Sequence, residues 1–207
     1  MISDFSHIAS NITVPTYITL IRLCIAPIVL PIAFVGLLPF NNNIINGCVL
    51  FLFILFSLTD LIDGFLARYY YQETDLGRAL DPIADKFLLY SCFIGLLAAG
   101  KIFFVWVIIF IGRDLFMMGL RQIALQYNFD LAVSAWGKVR TAIVMIYIGF
   151  LIIHPYQKLS LLQAPWWHML EYFLLLISLL LTIWSMYSYY VTFVQEFTKR
   201  FNQLTKV

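Results

Sequence analysis

Four aspartates stand in two pairs within one stretch, DLIDGFLARYYYQETDLGRALDPIAD at 60–85. Asp60 and Asp63 are three residues apart and Asp81 and Asp85 four, spacings that a helix turns onto one face. Strongly apolar runs flank them, VLFLFILFSLT before and KFLLYSCFIGLLAA after. An ionised side chain at membrane depth costs several kcal/mol, so such residues face a polar cavity and mark function. Four carboxylates sharing a cavity repel one another, and one or two bound divalent ions resolve the conflict. Hard oxygen ligands with no His or Cys nearby select Mg2+, Mn2+ or Ca2+ rather than zinc. Gly64 and Ala67 leave room beside such a metal for a bulky group, and Arg68 offers a fixed charge for phosphate. Gly77 suits a tight linking turn and Pro82 a helix's first turn. Metal, phosphate-binding charge and small residues together suggest phosphoryl chemistry.

The elements that must position these groups follow from composition. Of 207 residues 62% are hydrophobic and 12% charged, and runs of about 20 apolar residues recur along most of the length. That is the composition of an integral membrane protein, and a net charge of only +2 makes no electrostatic case for nucleic acid. Hydropathy predicts spans near 15–38, 44–66, 80–99, 102–123, 138–154 and 167–190. The expected fold is therefore all-α with six transmembrane helices, both termini on one side, in a single domain over 1–207. Residues 1–13 carry no evident cleaved targeting segment and read as a possible short interfacial segment.

Charge sets the orientation. The connections near 40–43, 100–101 and 155–166 carry Lys101 and Lys158. The opposite side and the tail carry Arg68, Arg78, Arg121, Lys138, Arg140, Lys199, Arg200 and Lys206. Eight cations against two place both termini and the aspartate-bearing connection on the cytoplasmic side. Arg22, Lys86 and Arg113 fall within predicted spans and are read as lining the aspartate cavity, the alternative being snorkelling from a helix end. Glu171 reads as an interface residue, and Trp166, Trp167, Tyr187, Tyr189 and Tyr190 as an aromatic belt. Cys24, Cys48 and Cys92 read as packing residues, and His7, His154 and His168 carry no ligand role. Membrane aspartates also line ion pathways, but a carrier needs them along a route across the bilayer, and these cluster at one end.

Asp60-x-x-Asp63-Gly64-x-x-Ala67-Arg68, eight positions, then Gly77-x-x-x-Asp81-x-x-x-Asp85 resembles the complete signature of the CDP-alcohol phosphatidyltransferase family. Eight fixed residues over 26 positions make a specific match. The resemblance implies a polytopic, usually homodimeric enzyme with a site for two ions, Mg2+ or Mn2+, held by Asp60, Asp63, Asp81 and Asp85. It implies that Asp85 is also the general base, and that Asp60, Gly64, Ala67, Arg68 and Gly77 bind the CDP moiety of CDP-diacylglycerol. The likeness extends to Val14–Arg22 with Pro27, similar to the opening helix of the family's glycerophosphate branch, although Thr16 stands where that branch usually has Asn. Gly112-Arg113-Asp114, Gly119-Leu120-Arg121 and Ser134–Thr141 resemble that branch's acceptor region, with Asp114 in place of the more usual Glu. The implied reaction moves the phosphatidyl group to glycerol-3-phosphate, whose phosphate would meet Arg113, Arg121, Lys138 and Arg140. Arg121 and Arg140 also read as plain positive-inside residues. The runner-up acceptor is phosphatidylglycerol, as in cardiolipin synthesis. The implied location is a bacterial inner (cytoplasmic) membrane, with the active site facing the cytoplasm.

Overall fold

Helix formation follows the apolar spans closely and then overruns them. The computed structural model of the chain describes residues 14–69, 75–127, 129, 135–154 and 165–204, with side chains described except at 14–23, 60–69, 75–82, 84, 85, 135, 165 and 201–204. The long helices are α1 Val14–Leu37, α2 Asn43–Tyr69, α3 Asp75–Ala98, α4 Phe104–Gln126, α5 Ala135–Ile153 and α6 Pro165–Leu204, with a 3-10 turn Leu38–Phe40 after α1. No strand occurs among the described residues. The fold is all-α, as composition predicts. The largest departure is α6, which continues to Leu204 where hydropathy ends the span at 190. Hydropathy reports where lipid ends, whereas a helix stops only where its hydrogen bonding is broken. The same reasoning accounts for α3, which begins at Asp75. Gly77 therefore lies in its first turn rather than in a linking turn, and Pro82 lies two turns inside rather than at the start.

The chain divides into two compact units, Met1–Lys101 with Ile152–Lys158, and Ile102–Leu151 with Leu159–Val207. In the first, α1 packs against both α2 and α3. Each contributes one stripe: Ala26, Leu30 and Phe34 from α1, Asn46, Val49 and Phe53 from α2, and Leu88, Leu89, Cys92, Phe93 and Leu96 from α3 are all buried. These spacings of three and four residues mark the inward face of a helix. Although α1 is apolar all round, Ile28 and Ile32 on its other side stay exposed. Pro31 lies inside α1, and its ring removes a backbone donor without ending the helix. Gly95 of α3 meets it so closely that a Cβ at 95 would stand 2.7 Å from the Pro31 Cα and 3.0 Å from Phe34 Cδ2. Small residues of this kind let helix backbones approach where no hydrophobic force drives them together in lipid.

Two helix ends of this unit carry described caps. Asn42 Oδ1 accepts the Ile44 N–H at 2.9 Å at the start of α2, and Asn41 before it takes the left-handed conformation, φ 50°. At the end of α3, Gly100 adopts φ 69°, its N–H bonding to the Leu97 carbonyl while Lys101 N–H reaches Leu96, both at 2.9 Å. That pair of bonds is the Schellman arrangement, open to glycine at little cost. Lys101, counted from sequence as a loop cation, is instead buried, and its Nζ donates to the His154 carbonyl.

In the second unit α4 packs on α6. Val107, Phe110, Asp114, Leu120 and Ala124 form the buried stripe of α4. Arg140, Val144, Tyr147, Ile148 and Leu151 form that of α5. On α6 the buried positions are Glu171, Leu175, Ser178, Thr182, Ser185, Tyr189 and Phe193, a repeat of three and four residues over six turns. One end of the seam is apolar, where Leu120, Ala124, Phe129, Tyr189 and Phe193 cluster. Tyr189 is thus a core residue and not part of an interfacial belt, while Tyr187, Tyr190 and Trp166 are exposed as expected. Glu171, expected at an interface, is also buried, with His168 Nδ1 3.7 Å from its carboxylate. Of the three cysteines only Cys92 is a core residue; Cys24 and Cys48 are exposed.

Exposed apolar side chains run along every long helix, among them Ile32, Phe51, Ile94, Ile108, Ile146 and Phe173. Apolar surface on this scale marks contact with lipid or with other protein. Trp136–Ile153 and Trp166–Arg200 are each long and apolar enough to cross a membrane, and Cys24–Phe40, Asn43–Thr59 and Lys86–Ala98 are shorter apolar stretches. The protein is an integral membrane protein.

Candidate active site

The signature aspartates lie on two helices of the first unit. Asp60, Asp63, Gly64, Ala67 and Arg68 occupy the last turns of α2, and Gly77, Asp81 and Asp85 the first turns of α3. Within each helix the paired aspartates are one turn apart, positions that share a helix face. Their side chains, and that of Arg22, lie outside the described residues. Four hard oxygen donors set at helical spacing, without thiolate or imidazole in the same stretch, are a donor set suited to a hard divalent cation.

The second unit carries a buried charged network that the sequence showed only in part. Asp114, 1% exposed, accepts through Oδ1 from Arg113 Nη1 at 2.9 Å and from Arg140 Nη1 at 2.6 Å. Arg140 is itself 1% exposed, so it is no loop cation, and it belongs neither to the positive-inside count nor to solvent. Two hydroxyls of α6 also belong to the network. Arg140 Nε donates to Thr182 Oγ1 at 3.2 Å and Arg113 Nη2 to Ser185 Oγ at 2.6 Å. A guanidinium presents its donors in a rigid fork, so two contacts on one fork fix its plane as well as its place. Buried charges survive only when paired and hydrogen-bonded in this way. With the charges turned inward, α4 leaves Ile108, Leu115, Phe116 and Met118 exposed to lipid.

Of the four cations expected around an acceptor phosphate, the structure brings Arg113 and Arg140 together on Asp114, while Arg121 and Lys138 are exposed. Sequence reasoning missed Thr182 and Ser185 because a hydroxyl in an apolar run raises no charge signal. A signal existed nonetheless: Ser178, Thr182 and Ser185 recur at four and three residues, which places all three on one face of a helix.

The family model for CDP-alcohol phosphatidyltransferase matches residues 12–190, and the chain belongs to that family of enzymes. Named relatives are similar over most of the length. A CDP-diacylglycerol–glycerol-3-phosphate 3-phosphatidyltransferase of Yersinia enterocolitica is 32% identical over 86% of this chain and 93% of its own. The protein of the same name from Haemophilus influenzae is 30% identical over 85% and 90%, and that from Rickettsia felis 30% identical over 67% and 74%.

Proposed function

We propose that the protein transfers the phosphatidyl group of CDP-diacylglycerol to glycerol-3-phosphate, releasing phosphatidylglycerophosphate and CMP. The observation that carries this reading is the eight-residue signature set at the end of α2 and the start of α3, successive helices in the chain, whose relatives bear that activity in their names. Six helices support it: each of α1–α6 has at least 19 residues, or roughly 28 Å at about 1.5 Å per residue, and we read each as crossing the membrane. The site faces the cytoplasm of a bacterial inner membrane, where glycerol-3-phosphate is dissolved, and the chain acts as one catalytic domain in a homodimer.

Asp60, Asp63, Asp81 and Asp85 hold two divalent ions, Mg2+ or Mn2+, which when bound neutralise the reacting phosphates. Asp60 together with Gly64, Ala67, Arg68 and Gly77 holds the CDP moiety, Arg68 by charge and the small residues by leaving room for it. Asp85 takes the proton of the acceptor hydroxyl as that oxygen attacks the lipid-linked phosphorus, and CMP leaves. Glycerol-3-phosphate is a small dianion, so its pocket requires fixed cations, and a lipid acceptor would tolerate fewer. Arg113, Arg121, Lys138 and Arg140 are those cations. Arg113 supports this role directly: its side chain is 9% exposed, and its Nε has no hydrogen-bond acceptor among the described residues.

The test is an acceptor screen with purified protein and labelled CDP-diacylglycerol, offering glycerol-3-phosphate, phosphatidylglycerol, inositol phosphate and serine in parallel. Only glycerol-3-phosphate is expected to yield CMP and lipid product. Arg113→Ala and Lys138→Ala should each raise its KM about tenfold or more, the equivalent of losing one charged hydrogen bond, with little effect on CDP-diacylglycerol. Turnover of phosphatidylglycerol with glycerol-3-phosphate ignored would replace this reading by cardiolipin synthesis.

A further inference from the structure

Aromatic packing at one end of the second unit continues past the stretches that hydropathy assigns to lipid. At 40 residues α6 is about 60 Å long at about 1.5 Å per residue, twice a hydrocarbon core of roughly 30 Å, so part of it lies outside the lipid. Tyr127, Phe129, Phe193 and Phe197 all lie beyond the predicted span ends at 123 and 190. The Phe193 ring stands 5.8 Å from that of Phe129 and 5.7 Å from that of Phe197, which meets Tyr127 edge-on at 4.9 Å. Outside lipid, burial of such rings is favourable because it removes them from water.

Phe129 reaches this cluster from the connection and not from a helix. α4 ends at Gln126, and the Phe129 N–H turns back to donate to the Ala124 carbonyl at 3.1 Å, the six-to-one bond of a Schellman stop. The hydrophobic contact that accompanies such a stop is present too, since Phe129 and Ala124 share the cluster with Leu120, Tyr189 and Phe193. With Phe129 7% exposed, a backbone bond and a buried ring together hold the chain as it leaves α4. α5 begins at Ala135, six residues later, which at about 3.3–3.6 Å per residue lies no farther than roughly 20–22 Å from Phe129. Lys138, exposed in the first turn of α5, is placed by the same start.

We infer that Phe129, seated on Phe193 and beside Phe197, is a positioning residue for the acceptor site: it anchors the α4–α5 connection and so sets where Lys138 stands. This rests on the acceptor reading given above. An anchored connection leaves less chain to be ordered when the acceptor binds, so the contribution belongs in acceptor affinity and not in the affinity for the CDP-linked lipid.

Steady-state kinetics of the full-length protein, varying glycerol-3-phosphate and CDP-diacylglycerol separately, tests it. Phe129→Ala should raise the KM for glycerol-3-phosphate about threefold to tenfold, with kcat and the KM for CDP-diacylglycerol changed less than about twofold, and Phe129→Leu, which keeps most of the bulk, should stay near wild type. Leu175→Ala, a cavity elsewhere in the same α6 stripe, should lower the melting temperature and leave that KM alone. Phe129 and Lys138 are nine residues apart, and an anchor acts through where it puts the lysine. Lys138→Ala should therefore cost about tenfold in the wild type but about threefold or less in a Phe129→Ala background. If Phe129→Ala keeps the wild-type KM, if the two costs multiply in full, or if Leu175→Ala shifts the KM as much, the positioning role is wrong while the acceptor reading stands. If the wild type ignores glycerol-3-phosphate, or Lys138→Ala leaves its KM unchanged, the acceptor reading fails and this inference fails with it. Should Phe129→Ala not fold, the partly buried Phe197 takes its place as Phe197→Ala, with the same split and the same cycle expected.

Discussion

Asp85 is the residue on which the proposed chemistry turns, because it is asked both to ligand an ion and to take a proton. The two demands separate on substitution. Asp85→Asn retains an oxygen able to bind metal but cannot accept the acceptor's proton. It should lose nearly all turnover, on the order of the 10²–10⁴-fold that a positioned general base contributes, and keep much of its affinity for CDP-diacylglycerol. Asp60→Ala should instead weaken metal and nucleotide binding together. Calorimetric titration of Mn2+ and of CDP-diacylglycerol, run beside turnover, checks both; substantial activity in a metal-loaded Asp85→Asn protein would remove the base assignment. Asp114 makes the opposite case. In the second unit Asp114 pairs with two arginines, so its role is to hold those cations in a buried place.

Helix packing in the first unit depends on one missing side chain. Gly95 sits against Pro31, and any Cβ there must displace backbone rather than the tip of a flexible side chain. Gly95→Ala should destabilise the protein by about 1–3 kcal/mol, the usual cost of overpacking a well-packed contact. Gly47→Ala is the control, since nothing lies within 4 Å of its added methyl group, and in a helix interior it should be neutral or stabilising by up to about 1 kcal/mol. Thermal unfolding of the detergent-solubilised variants distinguishes them, and equal melting temperatures would show that α1 and α3 can move apart without cost. On α6 the packing logic is different. Its seam is polar in the middle, where Ser185 accepts from Arg113 of α4, and apolar at the Tyr189 and Phe193 end, so a hydrogen bond as well as shape sets the register of the two helices.

For the whole molecule the open question is orientation, which the distribution of cations addresses. Removing Arg140 and Lys101, both buried, from the loop count leaves seven cations against one, so the asymmetry survives the correction. Single cysteines at Gln72 and Asn202, in a background lacking the exposed Cys24 and Cys48, should react with impermeant reagents only from the cytoplasmic side. One at Asn42 should react only from the other. Labelling of Gln72 and Asn42 from the same side would break the six-span arrangement.

Periodicity and chemistry made much of this protein legible without coordinates. Six apolar spans predicted six helices because a chain in lipid must satisfy its backbone within each segment, and the aspartate signature carried the family because phosphate and metal chemistry tolerates few alternatives at those positions. What the sequence could not settle was which side of each helix faces inward. In α1 and α5 most positions are apolar, so pattern alone does not separate Leu30 from Ile32 or Ile148 from Ile146, and in α6 the spacing of the hydroxyls marks a face without saying what meets it. Only packing decides that. Charge had the same ambiguity: Arg140 beside Lys138 reads as one of two loop cations, and the fold buries the first against Asp114 and leaves the second exposed. A buried guanidinium is tolerable only where a carboxylate and hydroxyls from other helices meet it, and those partners lie 26 and 42 residues away along the chain, a distance that tertiary structure alone closes.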